Sequence, residues 1–546
     1  MPRTRFALLG LSLMIGPTVQ GFGQSAVPIW TRFEAAFSSA GTYDNPLQQV
    51  ELQVRFTAPS GKEKTVLGFW DGDGTWRVRF SPDELGEWRY ATTASDPSET
   101  GLHAKRGSFS CVAYKGDNPL YGHGAIRLSP DRRYLVHADG TPFFWLADTA
   151  WNGALKATEQ DWKAFLADRR TKRFTAIQFV TTQWRAAPAD REGQVAFTGQ
   201  ESIAVQPAFF QRLDRSFDLC NQEGLVALPV LLWAIRGDMN PGYTLPEDQA
   251  ILLVRYTVAR YGAHRAIWIL GGDGDYDGER AKRWHAIGRG GLKFNPGRLA
   301  TMHPRGMNWP WDEFRDETWL DILTYQSGHG DGPNHLKWNC TGPATTKWRE
   351  EPARPIINAE PNYEDHNGYH SRKPHPALHV RRAAYWSLLA SPPAGLTYGA
   401  HGVWSWEEKP AEPLAHRGTG IAKPWREAMK LPGSANMKVM RDLFDRLPWW
   451  QLRPADEIVL DRKEDESFRS YIKAAKTADS SWAVVYLPEN DGVMIDVKAF
   501  EGPLLGLWFD PRTGKYSKTI EIAGDKAASH FPVPGEGDWV LVLHKR

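Results

Sequence analysis

Pro355-Ile356-Ile357-Asn358-Ala359-Glu360-Pro361-Asn362-Tyr363-Glu364 is a short apolar run that stops at a carboxylate followed by proline. Bounded in this way, it reads as a buried strand that delivers Glu360 to a rim. Ala266-Ile267-Trp268-Ile269-Leu270-Gly271-Gly272-Asp273 repeats the design, with glycines ahead of the acid. Around both runs, apolar strands alternate with polar segments of helical period, the texture of βα units and a parallel sheet. Two such strand ends facing one cleft would form an acid/base pair.

Eight units can be counted from Ile126 onward. Their strands are Phe143 to Ala147, Ala176 to Val180, Val226 to Leu232, Ile267 to Leu270, Arg298 to Met302, Asp321 to Tyr325, Pro355 to Ala359 and Gly395 to Tyr398. Helix signals fall between them. Thr158 with Asp161 predicts a capped start for a helix bearing Trp162, Phe165, Leu166 and Arg169. Phe209, Leu213, Phe217 and Cys220 share one helical face that ends at Gly224. Thr244-x-x-Glu247 introduces a helix closed by Gly262, and Pro376 to Ala390 forms another. Eight units over residues 120–447 predict a (β/α)8 TIM barrel with generous loops.

Antiparallel β-sandwich domains are expected on both sides. Over residues 27–114 the pattern has period two, as in Val50-x-Leu52-x-Val54-x-Phe56, with turns at Pro59-Ser60-Gly61 and Asp71-Gly72-Asp73-Gly74. The alternation returns over residues 453–546. Ahead of everything, residues 1–23 read as a signal peptide: Arg3 and Arg5, an apolar run from Phe6 to Ile15, then Gly16-Pro17 and small residues. That run is far shorter than the ~20 residues a membrane span needs. The mature chain is thus expected to be secreted or periplasmic, with no membrane span.

Composition narrows the function. Without Arg3 and Arg5, basic and acidic residues balance at 64 each, which argues against nucleic acid as a partner. Cys111, Cys220 and Cys340 form no C-x-x-C pair and suit buried thiols better than a zinc knuckle or disulfide framework. The excess is aromatic: 25 tryptophans, whose faces stack on sugars.

In a (β/α)8 barrel the active site lies where strands end. The residues there are Asp148 and Trp151; Gln183 and Trp184; Trp233 and Arg236; Asp273 and Asp275; His303; Gln326 and His329; Glu360; and His401, Trp404 and Trp406. Carboxylates, amides, histidines and indoles converging on one rim make a sugar subsite. Asp273 and Glu360 end strands on opposite sides of the mouth, as the two carboxyl groups of a glycosidase must; Asp275 and Glu364 are their nearest rivals. Asp273-x-Asp275-x-Asp277-Gly278 mimics a calcium loop, but its twelfth position is Trp284 where a bidentate Glu is required. None of His303, His329 and His401 belongs to a His-x-x-x-His or His-x-His pair, and no Gly-x-Ser-x-Gly elbow occurs, so neither a metal, a cofactor nor a serine nucleophile is expected.

The barrel segment resembles the apiosidase-like glycoside hydrolases of family 140. The signatures that carry this are Phe144-Trp145-Leu146-Ala147-Asp148-Thr149-Ala150-Trp151, Ile269-Leu270-Gly271-Gly272-Asp273, Tyr325-Gln326-Ser327-Gly328-His329, Asn358-Ala359-Glu360-Pro361 and Tyr398-Gly399-Ala400-His401-Gly402-Val403-Trp404. The flanks resemble a β-sandwich domain of unknown function and a collagen-binding-type domain. The resemblance implies Asp273 as acid/base and Glu360 as nucleophile, with Asp148, Gln326 and His329 lining the pocket. In characterised members the sugar is apiose of a pectic polysaccharide. The expectation is therefore a secreted, retaining glycoside hydrolase acting on a plant or microbial polysaccharide. The competing expectation is a non-catalytic carbohydrate-binding or adhesion protein on a barrel scaffold, which a shallow, exposed rim would favour.

Overall fold

The computed structural model describes residues 26–462, 465–500, 502–523 and 527–546. The expected signal peptide lies outside them. The centre is a sheet of eight parallel strands: β1 (Trp145–Thr149), β2 (Ala176–Val180), β3 (Val226–Trp233), β4 (Trp268–Gly274), β5 (Ala300–Pro304), β6 (Leu323–Tyr325), β7 (Ile356–Asn358) and β8 (Gly395–Gly399). Their order is β5-β4-β3-β2-β1-β8-β7-β6. Between β5 and β6 the barrel closes through backbone and side chains together: the Asp321 N–H donates to the Ala300 carbonyl at 2.9 Å, Thr301 Oγ1 donates to the Ile322 carbonyl at 2.7 Å, and the Ala300 N–H donates to the Asp321 carboxylate at 3.0 Å.

Burial on both faces explains why these strands read as continuous apolar runs. All eight residues of β3 are buried, as are all five of β1, β2, β5 and β8. Helices cover the outside, and their ends follow the sequence signals. Thr158 Oγ1 accepts the Asp161 N–H at 3.0 Å and starts helix α1 (Glu159–Thr171); Gly224, at φ +76°, turns the chain out of α2 (Pro207–Gln222). Thr244 does not cap the next helix. It closes a separate turn, Pro241–Thr244, its hydroxyl donating to the Asn240 carbonyl, and α3 (Glu247–Tyr261) begins after Pro246. Among the described residues no helix follows β5; the chain returns to β6 through turns.

Both flanks are sheet-rich. The N-terminal domain packs a five-stranded sheet on a three-stranded one, around Val54, Phe56, Val78, Trp88 and Phe109. It is not wholly antiparallel, because its first strand, Ala26–Pro28, runs parallel to Arg106–Val112. The C-terminal domain has a six-stranded and a two-stranded sheet. Buried ion pairs dock both flanks on the barrel. Arg79 of the first sandwich meets Asp214 of α2 at 2.7 Å; Arg381, on helix α4 (Ala377–Ala390), meets Asp538 of the last domain at 2.6 Å. The three cysteines are buried free thiols, and no helix among the described residues is long and apolar enough to cross a membrane.

Candidate active site

Glu360 lies two residues past the end of β7, where the strand is pinned from both sides. Asn358 Nδ2 donates to the hydroxyls of Ser327 at 2.8 Å and Ser387 at 2.9 Å, and the Gly328 N–H donates to the Glu360 carbonyl at 3.0 Å. Both carboxylate oxygens are engaged. His303 Nε2, from β5, lies 2.9 Å from Oε2, and His329 Nε2, from the loop after β6, lies 2.9 Å from Oε1. His329 Nδ1 accepts the Tyr363 N–H at 3.3 Å, so its proton sits on Nε2 and is donated to Glu360. Burial alone would raise the Glu360 pKa; the hydrogen bonds from His303 and His329 outweigh it and hold the group well below the usual carboxylate range.

Asp273 is aimed by a distortion. The β4–β5 register shifts on both sides of Gly272, and Asp273 itself is left-handed at φ +48°. A bulge of this kind swings one side chain out of the strand's alternation. The flanking glycines make it feasible, since a Cβ on Gly272 would lie 2.6 Å from the Trp233 ring and one on Gly271 2.6 Å from Trp284 and Tyr276. Burial, then the neighbouring Glu360 charge, push the Asp273 pKa up to about 6. Two carboxyl groups in one site thus hold opposite protonation states below that pH.

Both acids line one cavity of about 230 Å³ at the C-terminal mouth of the barrel. Trp151, Trp184, Trp233, Gln326, His329 and Trp404 line it too, as the rim census expects. The indoles hold one another: Trp184 packs on Trp233 at 4.3 Å between ring centres, and Trp151 meets the edges of Trp233 and His303. His303 stands behind Glu360 and reaches the cavity through it.

Six expected residues lie elsewhere: Arg236 is outside the cavity lining, Trp406 stacks on Trp425 at 4.4 Å, and Asp148, Gln183, Asp275 and His401 are spent on other contacts. Asp148 occupies the face of β1 that points to the helices, the opposite parity from Thr149, and its fully buried carboxylate pairs with Arg169 of α1 and accepts the Thr149 N–H. Gln183 spends its amide on backbone, donating to the Phe197 carbonyl and accepting the Ala196 N–H, both at 2.9 Å. Asp275 sits outside, paired with Arg280 and Arg305. His401 backs the wall: its Nδ1 accepts the Trp404 indole N–H at 3.2 Å while Nε2 donates to the Gly420 carbonyl at 3.0 Å. The rival Glu364 is buried away from the cavity, accepting from the Tyr398 hydroxyl at 2.6 Å and the Gly433 N–H at 2.9 Å.

Sequence reasoning missed Arg185, Tyr363, His366, Tyr369 and His416, all in the cavity wall. Arg185 and Tyr363 adjoin residues that were singled out, and extending each strand-end window by two or three positions finds them. His416 lies on a long loop after β8 with no local signal. Among the described residues no group of three or more His, Cys, Asp or Glu is arranged to hold a metal ion.

Residues 129–451 match the family model described as "Apiosidase-like, catalytic domain". Residues 26–95 match a domain of unknown function, DUF5060, and residues 454–544 a model named for the collagen-binding domain of a collagenase. No curated protein matches the chain. Among solved structures, the chain is similar to a glycoside hydrolase at 23% identity and TM-score 0.69, with 79% of this chain and 98% of the other covered. A family 5 glycoside hydrolase from Bacteroides vulgatus ATCC 8482 aligns at 23% identity and TM-score 0.68, covering 79% and 95%. Another Bacteroides vulgatus protein, assigned as a glycoside hydrolase, aligns over 95% of this chain and 100% of its own at 17% identity and TM-score 0.69. These structural likenesses establish the shared fold. The family match, which spans more than half of the sequence, makes the chain a member of the apiosidase-like glycoside hydrolases.

Proposed function

We propose that the protein is a secreted, retaining glycoside hydrolase that removes a terminal or branching sugar from a plant or microbial polysaccharide. The observation that carries this is the split between two carboxyl groups in one cavity: Asp273 raised to about 6 and Glu360 held low by two histidines. Asp273 protonates the departing oxygen, Glu360 attacks the anomeric carbon, and Asp273 then takes a proton from the water that releases the sugar. The cavity has the volume of about eight waters, the scale of one sugar ring, which suits a chain end or branch. A pocket of this depth with an intact acid pair favours catalysis over an adhesive scaffold. Export rests on the leader-like residues 1–23.

The test is sugar release from plant and bacterial polysaccharides, with product anomers followed by NMR. Glu360→Gln should lose nearly all turnover while still binding, and the first-formed product should keep the substrate's anomeric configuration. Full activity in Glu360→Gln, or an inverted first product, overturns the scheme.

A further inference from the structure

Among the described residues, Arg185 is the one arginine or lysine in the cavity wall. Three loops hold it. Its backbone N–H donates to Asn240 Oδ1 at 3.2 Å in the loop after β3, and its terminal Nη2 lies 2.9 Å from His416 Nε2 in the loop after β8. His416 Nδ1 donates to the Leu414 carbonyl at 2.8 Å, so Nε2 is left to accept from Arg185. Burial and the Arg185 charge bring the His416 pKa down to about 4, which keeps the ring neutral and the contact intact near neutral pH.

The guanidinium is placed but not neutralised. Its only side-chain hydrogen bond among the described residues is the one to neutral His416, and its Nε is buried with no partner. Neither Glu360, whose oxygens face His303 and His329, nor Asp273 hydrogen-bonds to it among the described residues. Other buried arginines at the domain seams are neutralised, Arg79 and Arg260 by Asp214 and Arg381 by Asp538, although Arg265, against Ser81, is not. Three further wall groups carry a buried polar atom without a protein partner, Trp233 Nε1, Tyr363 Oη and Gln326 Oε1. Four such atoms around one cavity are groups to which a ligand can bond. Three of the four belong to groups able to donate, so the ligand they fit is rich in acceptors. A guanidinium fork matches a planar carboxylate.

Resting on the glycosidase reading above, we infer that the sugar held in the cavity is a uronic acid, its carboxylate received by Arg185. The cavity takes about one ring, so the anionic group belongs to the sugar being released and not to a distant part of the polymer.

The experiment compares 4-nitrophenyl α- and β-glucuronides and galacturonides with the parent glucosides and galactosides. A uronide should exceed its neutral parent in kcat/KM by about tenfold or more, and Arg185→Gln should bring that ratio down to about one. Calorimetry on Glu360→Gln protein, with free glucuronate, galacturonate, glucose and galactose, reads the same preference without turnover. A neutral sugar processed or bound as well as its uronate overturns the inference, and so does a ratio unmoved by Arg185→Gln in a protein that melts like the parent. Absence of hydrolysis on every glycoside would defeat the catalytic reading alone; uronate-selective binding would then still support the inference, and equal binding of uronate and neutral sugar would overturn it.

Discussion

His329 Nε2 lies 2.9 Å from Glu360 Oε1, and the proton on that nitrogen is fixed because the other ring nitrogen accepts the Tyr363 N–H. The donor stabilises the ionised form of Glu360, so on the proposed mechanism the nucleophile is lost only when pH falls through a pKa well below the ordinary range. Removing it in His329→Ala should let Glu360 take up a proton at higher pH. The acid limb of kcat/KM is expected to move upward, and the plateau to fall about ten- to a hundredfold, the value of ~1.5–3 kcal/mol for a hydrogen bond to a charged group. A pH–rate profile checks both; an unmoved acid limb would deny His329 this role.

On the proposed mechanism Asp273 sets the other limb. As general acid it must carry a proton, and its pKa is raised to about 6, so kcat/KM should fall as pH rises through about 6. Asp273→Asn is expected to abolish that limb and cost about 10²- to 10⁴-fold on a poor leaving group, much less on dinitrophenyl glycosides that need no protonation. The sign for stability is opposite. A carboxyl raised from ~3.9 in the unfolded chain favours the fold below pH ~4 and loses that contribution as pH rises through about 6. At pH 7 the Asn variant should therefore melt higher than the parent while turning over more slowly.

Much of this geometry was legible in the sequence, for a physical reason. Strands buried on both faces cannot alternate, so their apolar runs stand out, and all eight lie within a few residues of where the runs place them. Glu360 and Asp273 were found because each ends such a run. Asp148 was misread because the run before it says where a strand stops but not which face its last residue takes; one step of parity turns it from the cavity to Arg169. Gln183 and His401 fail differently. They stand at the rim, yet their polar atoms are spent on loops whose paths no periodicity encodes. The same loops bring in His416, which the sequence places far from any strand end.

The parity of Asp148 has a measurable consequence. Its carboxylate is paired with Arg169 and shielded from water, so Asp148→Asn leaves the buried guanidinium with Asp168 alone as counter-charge. Loss of the sole partner in such a pair costs about 3–5 kcal/mol, and the remaining Asp168 pair sets the expected loss at the lower figure. Denaturant unfolding should show a loss of that size, with KM unchanged in protein that remains folded. A rise in KM without loss of stability would return Asp148 to the sugar pocket.

Gly272 ties the strand to the cavity. A methyl group there would meet Trp233 Cε3 at 2.6 Å and Val230 Cγ1 at 2.7 Å, and neither ring nor branched side chain has a free direction, since Trp233 is already packed on Trp184 and Trp151. Gly272→Ala must therefore either push the indole into the cavity or straighten the bulge that holds Asp273 left-handed. Overpacking of this kind costs about 1–3 kcal/mol. The two responses separate kinetically. A displaced Trp233 narrows the sugar's space and raises KM, whereas a straightened bulge withdraws the acid and lowers kcat, most on poor leaving groups. The left-handed conformation of Asp273 is the costlier one to keep without glycine neighbours, so the kcat loss is expected to dominate. Steady-state rates on two leaving groups decide it: an equal effect on both would place the strain at Trp233 and leave the acid in position.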